Sequence, residues 1–208
     1  MYPRVAALAE KRQSGKHILG RNLDMTEKNR QLWDRKRTLE VSDSAARPPI
    51  LTVRTLALAG VFAALITLAT QLRIPTGIGY VNLGDGMILA CAFLLGPVAL
   101  FPAAIGSALA DLIAGYAVFM LPTFLIKGLM GLLVGLLLGK GNPSMLRISI
   151  SFLCAELLMV SGYFVTEILL FDWSGAVGSV IPNLWQGAAG IAMGIALCPA
   201  VRRLRRRA

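Results

Sequence analysis

Eight side chains that can donate or accept hydrogen bonds stand out because they lie in or beside long apolar stretches of the chain. Charged groups are costly inside a membrane, so those found there usually face a cavity or one another and mark function. Polar groups that converge between apolar walls are typical of a small-molecule pocket. The candidate ligand-binding residues are Asn82, Asp85, Asp111, Tyr116, Lys127, Glu156, Asn183 and Gln186.

Several of these residues also have a purely structural interpretation. Asp111 and Lys127 could form an ion pair that holds two helices together. Asp85 could cap a helix by accepting hydrogen bonds from free backbone N–H groups. Glu156, near the middle of an apolar segment, must pair with another group, stay protonated or face a cavity.

The composition indicates a membrane domain behind a polar tail. The 208 residues are 56% hydrophobic and only 15% charged, whereas soluble domains are nearer half apolar and a quarter charged. The apolar excess begins after about residue 50, in stretches close to the ~20 residues that cross a bilayer core. We therefore expect a polar tail over 1–50, disordered or partly helical, and a membrane domain over 51–208.

The pattern predicts an all-α bundle of six transmembrane helices. Gly96-Pro97 should end the second helix, and Pro122 suits the first turn of the fourth. The polar stretch from Arg73 to Leu83 is expected to be a loop that could fold over a pocket, and a second loop is expected from Phe171 to Ile181. The predicted helices are Arg54–Leu72, Gly84–Leu95, Val98–Gly115, Pro122–Gly139, Leu146–Leu170 and Pro182–Val201.

The net charge of +10 is concentrated in regions that should share one side of the membrane. Basic residues occur in the tail, beside the connection between helices four and five, and in the run from Arg202 to Arg207. The positive-inside rule keeps such regions in the cytoplasm, which requires an even number of spans and places both termini there. The basic ends are expected to contact membrane lipid. No basic motif is interleaved with aromatic residues, so we expect no nucleic-acid partner.

The chain lacks the groups that membrane-embedded enzymes use. Its single histidine, His17, lies in the tail, which excludes histidine-based zinc chemistry and a Ser–His dyad within the membrane. No Gly-x-x-x-x-Gly-Lys-Ser/Thr phosphate loop is present. We expect no metal, no cofactor and no catalysis by this chain. The cysteines have neither zinc nor disulfide spacing: Cys91, Cys154 and Cys198.

On the predicted topology, most of the candidate polar residues lie at one depth. Asp85 begins helix two, Asp111 lies near the end of helix three, and Lys127 lies near the start of helix four. All three positions are then on the external side, with Asn183 and Gln186 at the start of helix six. We expect a pocket that opens outward, which Gly77, Gly79 and Tyr80 of the first loop could cover.

Four segments carry a family resemblance in their order and spacing. They resemble the S components of energy-coupling factor (ECF) transporters, and within these the riboflavin-, hydroxymethylpyrimidine- and pyridoxine-type group. The similarity covers residues 54–201, and the N-terminal tail departs from the pattern. The segments are Val81–Gly86, Leu95–Pro97, Gly106–Tyr116 and Pro122–Gly131.

The resemblance implies a six-helix subunit that captures a water-soluble vitamin or precursor. It would work with a transmembrane coupling subunit and two ABC-type ATPases, and rotate in the membrane to release its substrate. The family's Ala-x-x-x-Ala motif on helix one, which faces the coupling subunit, is matched by Ala59 and Ala63, with Gly60 and Ala64 beside them. Small residues allow such close helix contact. The alternative is a self-contained small-molecule permease or a membrane scaffold protein.

Overall fold

The computed structural model describes residues 29–38, 52–76, 79–139 and 141–207, and the chain divides into two units, Met1–Ile50 and Leu51–Ala208. In the first unit, residues 29–38 form a helix, α1, whose side chains are exposed. The remainder of the expected tail lies outside the described residues.

The second unit is helical apart from one β-hairpin. Its strands are β1 (Arg73–Thr76) and β2 (Gly79–Asn82), and two short 3-10 turns cover Gly96–Ala99 and Ala117–Phe119. Its helices are α2 (Val53–Gln71), α3 (Gly84–Leu95), α4 (Leu100–Ile113), α5 (Met120–Leu138), α6 (Met145–Leu170) and α7 (Trp173–Arg207).

The described residues contain five helical segments that are long and apolar enough to cross a membrane, in which Gly84–Ile113 counts as one. Many large apolar side chains on the outer faces of these helices are exposed, among them Leu109, Leu125 and Leu153. Lipid is the solvent that such faces require. The chain is therefore a multi-pass membrane protein.

The segment Gly84–Ile113 reverses direction at the turn between α3 and α4. Gly135 of α5 lies against Gly96, and Gly128 lies against Ala104, so α5 runs antiparallel to α4. Lys127, beside Gly128, bonds to Asp85 at the start of α3. Both ends of the segment thus lie beside the first half of α5. This is the arrangement expected if α3 and α4 are two separate helices that run in opposite directions.

The two arms of this segment are short. With 12 and 14 residues at about 1.5 Å per residue, α3 and α4 are about 18 and 21 Å long, whereas a bilayer core is ~30 Å thick. Their reversal agrees with the predicted topology, but six complete crossings stay a prediction.

The connection expected as a loop contains an antiparallel β-hairpin. Arg73 pairs with Asn82 and Ile74 pairs with Val81, and the backbone N–H of Leu83 donates to the carbonyl of Ala69 at the end of α2. The hairpin fixes Asn82 directly before α3. Of the residues expected to cover a pocket, Gly77 and the side chain of Tyr80 lie outside the described parts.

The predicted loop from Phe171 to Ile181 is wrong, because α7 already begins at Trp173. The carboxylate of Asp172 accepts a hydrogen bond from the backbone N–H of Gly175 at 2.7 Å, as an N-cap does. This bond, together with the hydroxyl of Ser174, lowers the pKa of the Asp172 carboxyl. Pro182 therefore lies inside the helix, where it removes one backbone hydrogen bond rather than starting the element.

The two ends of the bundle are distinguished by which helix termini they contain. Gln71 Nε2 bonds to the carbonyl of Ala110, so α2 runs parallel to α4. Arg205, at the end of α7, bonds to the carbonyls of Phe93 and Gly139 at the ends of α3 and α5. The start of α2 and the end of α7 therefore lie at one end, here called the arginine end. The β-hairpin lies at the other, the hairpin end.

Candidate functional site

A buried ion pair joins α3 to α5 toward the hairpin end. Lys127 Nζ lies 2.5 Å from Asp85 Oδ1, and the two side chains are 6% and 1% exposed. The described bonds to the Asp85 carboxylate come from the side chains of Lys127 and Gln186 and not from backbone N–H groups at the start of α3. The predicted ion pair between Asp111 and Lys127 is therefore wrong, because Lys127 pairs with Asp85. The predicted capping role of Asp85 is also wrong, because its carboxylate bonds to side chains instead.

Two amide side chains extend this pair to α7 and the hairpin. Gln186 Nε2 donates to Asp85 Oδ2 at 2.8 Å, and Asn82 Nδ2 donates to Gln186 Oε1 at 2.9 Å. Asn82 Oδ1 in turn accepts from the backbone N–H of Gly84 at 3.0 Å. Four of the predicted residues, Asn82, Asp85, Lys127 and Gln186, therefore form one continuous network.

A tyrosine and a threonine complete the surroundings of Lys127. The hydroxyl of Tyr163 on α6 lies 3.0 Å from that of Thr123, and Lys127 Nζ lies 5.3 Å from the centre of the tyrosine ring. Neither residue was predicted as a site residue from the sequence. Thr123 could have been predicted from its spacing, since it precedes Lys127 by four residues and so lies on the same helix face.

Glu156 lies beside this network without a partner. It is 3% exposed, and neither of its carboxylate oxygens has a hydrogen-bond partner among the described residues. A Cβ at Gly190 of α7 would lie 2.7 Å from Glu156 Oε1 and 2.9 Å from Asp85 Cβ. The absence of a side chain at Gly190 therefore leaves space for both acidic side chains. The two buried acidic side chains therefore lie close together, and the described ion pair of Lys127 is with Asp85. We call Asn82, Asp85, Lys127, Glu156 and Gln186 the polar cluster.

Three other predicted residues lie outside the hydrogen bonds of the polar cluster. Asp111 Oδ2 and Asn183 Nδ2 are buried and have no partner among the described residues. Asn183 precedes Gln186 by three positions on α7, so the two occupy one face. Tyr116 is 42% exposed and stacks on the guanidinium of Arg73 at 5.2 Å. Of the three, Asp111 and Asn183 offer buried polar atoms without partners.

The small residues of α2 fall on two different faces. Ala59 and Ala63 are half-buried, and the carbonyl of Ala63 packs against Gly106 of α4. Gly60 and Ala64 are exposed, and no atom lies within 4 Å of a Cβ placed at Gly60. The open small-residue face is therefore Gly60-x-x-x-Ala64, one position from the pair matched by the resemblance.

The polar cluster offers hydrogen-bonding groups of several kinds at one place. Within the described ranges, no group of three histidine, cysteine or acidic side chains could hold a metal ion. The polar cluster combines one ammonium, two carboxylates and two amides at the junction of α3, α5, α6 and α7. Such a set can recognise a polar molecule by hydrogen bonds.

Known proteins with similar sequences point to transport. Residues 50–203 match the family described as "ECF-type riboflavin transporter, S component". An uncharacterized protein of Pyrococcus woesei is 38% identical over 129 residues, which are 62% of this chain and 86% of that protein. The "Thiamine precursor transporter HmpT" of Lactococcus lactis subsp. cremoris is 32% identical over 95 residues, 46% of this chain and 52% of that protein.

Proposed function

Since the chain belongs to the family of ECF-type riboflavin transporter S components, which are transporter subunits rather than enzymes, we propose that its polar cluster binds a small vitamin precursor for uptake. The observation that carries this proposal is the convergence of buried polar atoms without partners. Leaving such atoms unpaired costs about 1–3 kcal/mol each. A ligand that paired with them would recover that cost.

The charges of the polar cluster favour a particular kind of substrate. Lys127 and Gln186 already donate hydrogen bonds to Asp85, whereas no described residue donates one to Glu156. The ligand should therefore bring hydrogen-bond donors or a weakly basic nitrogen to Glu156 and should not bring a negative charge. An aminopyrimidine such as hydroxymethylpyrimidine meets this requirement, because its amino N–H can donate to one oxygen of the carboxyl group while its weakly basic ring nitrogen shares a proton with the other oxygen. The similarity to a thiamine precursor transporter supports the same choice. Pyridoxine and riboflavin are the other candidates.

We place both termini in the cytoplasm and assign six crossings to the bundle. The arginine end would then face inward, as the positive-inside rule requires. The hairpin end and the polar cluster would face outward, where substrate is captured. In this arrangement α3 and α4 form two short crossings that other helices bury on most sides.

Transport would require a transmembrane coupling subunit and two ABC-type ATPases. The exposed face of α2 supports a helical partner, because Gly60 and Ala64 allow close backbone approach. Changing Gly60 to Leu should reduce co-purification with these subunits and leave substrate binding intact. Gly178→Leu on α7, also exposed with open space around it, is the matched control. Equal loss in both variants, or transport by this chain alone without ATP, would contradict the proposed partnership.

Equilibrium binding to the purified protein tests the substrate assignment. Hydroxymethylpyrimidine, pyridoxine and riboflavin would be titrated in parallel with biotin, an acidic vitamin. We expect tightest binding of hydroxymethylpyrimidine and none of biotin. Failure of all three candidates to bind would reject the proposed substrates, and tight binding of biotin would reject the charge argument.

A further inference from the structure

The arginine end of the bundle carries a group of positively charged side chains. Its described side chains include Arg147, Arg202, Arg203 and Arg205. All five acidic residues of 51–208 lie elsewhere, from the middle of α6 to the hairpin end or in the connections there: Asp85, Asp111, Glu156, Glu167 and Asp172. No carboxylate of the described residues bonds to Arg202 or Arg205.

A cavity of about 350 Å³ opens between two of these arginines. Its described lining includes Arg202 and Arg205 from α7 and Gly141 and Asn142 from the turn that joins α5 to α6. Its volume lies at the lower end of the range of small-molecule pockets, about 300–1,000 Å³. A compact ligand therefore fits between the end of α7 and this turn.

Backbone carbonyls hold both guanidinium groups in place but do not neutralise them. Arg205 donates to the carbonyls of Phe93 and Gly139 at 3.3 and 2.8 Å. Arg202 Nη2 donates to the carbonyl of Pro143 at 3.1 Å, and Arg202 Nε is buried without a partner among the described residues. Each guanidinium has five N–H donors. The cavity thus offers fixed positive charge and unused donors.

We propose that this cavity binds a phosphate-bearing anion. The planar fork of arginine matches the oxygens of phosphate and can donate two parallel hydrogen bonds to it. The phosphate could belong to an anionic lipid headgroup, since the cavity lies where the helices end, or to free phosphate. A bound anion would link the ends of α3, α5 and α7 through Arg205 and the start of α6 through Arg202.

Native mass spectrometry and thermal unfolding of the full chain in mild detergent test this site. The protein would be titrated with short-chain phosphatidylglycerol, with phosphatidylcholine, and with inorganic phosphate against chloride at matched ionic strength. Retention of phosphatidylglycerol over phosphatidylcholine supports the lipid source, and stabilisation by inorganic phosphate supports free phosphate. If neither anion binds better than its control, the proposal is overturned.

Variants distinguish a defined site from general attraction of the basic helix end. We expect Arg202→Gln to weaken anion binding about tenfold, as for the loss of one hydrogen bond to a charged group, and Arg203→Gln, an exposed neighbour, to change it little. Arg202→Lys keeps the charge but loses Nε and the fork, so it should bind nearly as weakly as Arg202→Gln. Equal loss in Arg203→Gln, or full binding by Arg202→Lys, would mean that charge alone acts. Unfolding temperatures of all variants check that each one folds.

Discussion

The polar cluster and the arginine end both collect charged side chains from several helices, but they are completed in different ways. In the polar cluster, Asp85 and Lys127 satisfy each other, and the group without a hydrogen-bond partner among the described residues is the carboxyl of Glu156. At the arginine end, the described hydrogen-bond acceptors of Arg202 and Arg205 are backbone carbonyls and the sulfur of Met145, none of which carries a negative charge. Each region therefore lacks a group of opposite character: hydrogen-bond donors at the polar cluster and an anion at the arginine end.

Removing the charge of Lys127 should have the largest effect on stability and on substrate binding. Lys127→Met would leave Asp85 and Glu156 buried without a cation, and breaking one partner of a buried pair typically costs about 3–5 kcal/mol. We expect a large loss of thermal stability and of substrate binding, measured by detergent unfolding and titration. Adding Asp85→Asn should restore part of the stability by removing the unpaired charge. A single variant as stable as the wild type would contradict the role given to the pair.

Neutralising the unpaired acid should separate binding from folding. Glu156 has no hydrogen-bond partner among the described residues, so Glu156→Gln should fold at least as well as the wild type. Binding of hydroxymethylpyrimidine should weaken by a factor of about ten or more, since hydrogen bonds to charged groups contribute about 1.5–3 kcal/mol. Glu167→Gln, eleven positions later on α6, is the control and should bind normally. Equal binding by both variants would refute the pairing proposed for Glu156.

The glycine between the two acids provides a steric test. Gly190→Ala would place a Cβ 2.7 Å from Glu156 Oε1, and overpacking of this kind costs about 1–3 kcal/mol. We expect lower stability and weaker binding. Gly178→Ala on the same helix, with nothing within 4 Å, should be neutral or slightly stabilising, because alanine favours helix over glycine. If unfolding temperatures of the two variants agree, Glu156 does not lie against α7 as described.

The smallest expected effect concerns the start of α7. Hydrogen bonds from Gly175 and Ser174 lower the pKa of Asp172, so the cap contributes stability above the carboxyl's unfolded pKa, near 4. That contribution should disappear as the pH falls through the lower folded value. Asp172→Ala should therefore lower the unfolding temperature slightly at neutral pH and not at strongly acidic pH. An equal difference at both pH values would exclude the ionised cap as its cause.

The sequence was most informative where apolar length and glycine-proline signals decide structure. Helix α3 was predicted with its observed bounds, Gly84–Leu95, because a polar loop precedes it and Gly96-Pro97 follows. The start of α7 was missed because Pro182 suggested a helix start, whereas the cap at Asp172 had already begun the helix. The hairpin was missed because its strands have only four residues each.

The members of the site were easier to predict than their partners. A charge in an apolar segment identifies Asp85, Lys127 and Glu156 as candidates from sequence alone. Asp85 and Asp111 were predicted at the same depth as Lys127, so only the rotation and packing of the helices decide which acid pairs with it. On α2, all four small residues were predicted for the partner interface, and the fold adds that Gly60 and Ala64 are the exposed pair.

Mass spectrometry of the small molecule retained by the purified protein tests the central claim most directly. We predict that the wild-type protein retains a neutral or weakly basic nitrogen heterocycle with hydrogen-bond donors, and that Glu156→Gln loses it while Glu167→Gln keeps it. Retention of an anionic molecule, or equal retention by both variants, would contradict the claim that the polar cluster binds the substrate through its unpaired acid.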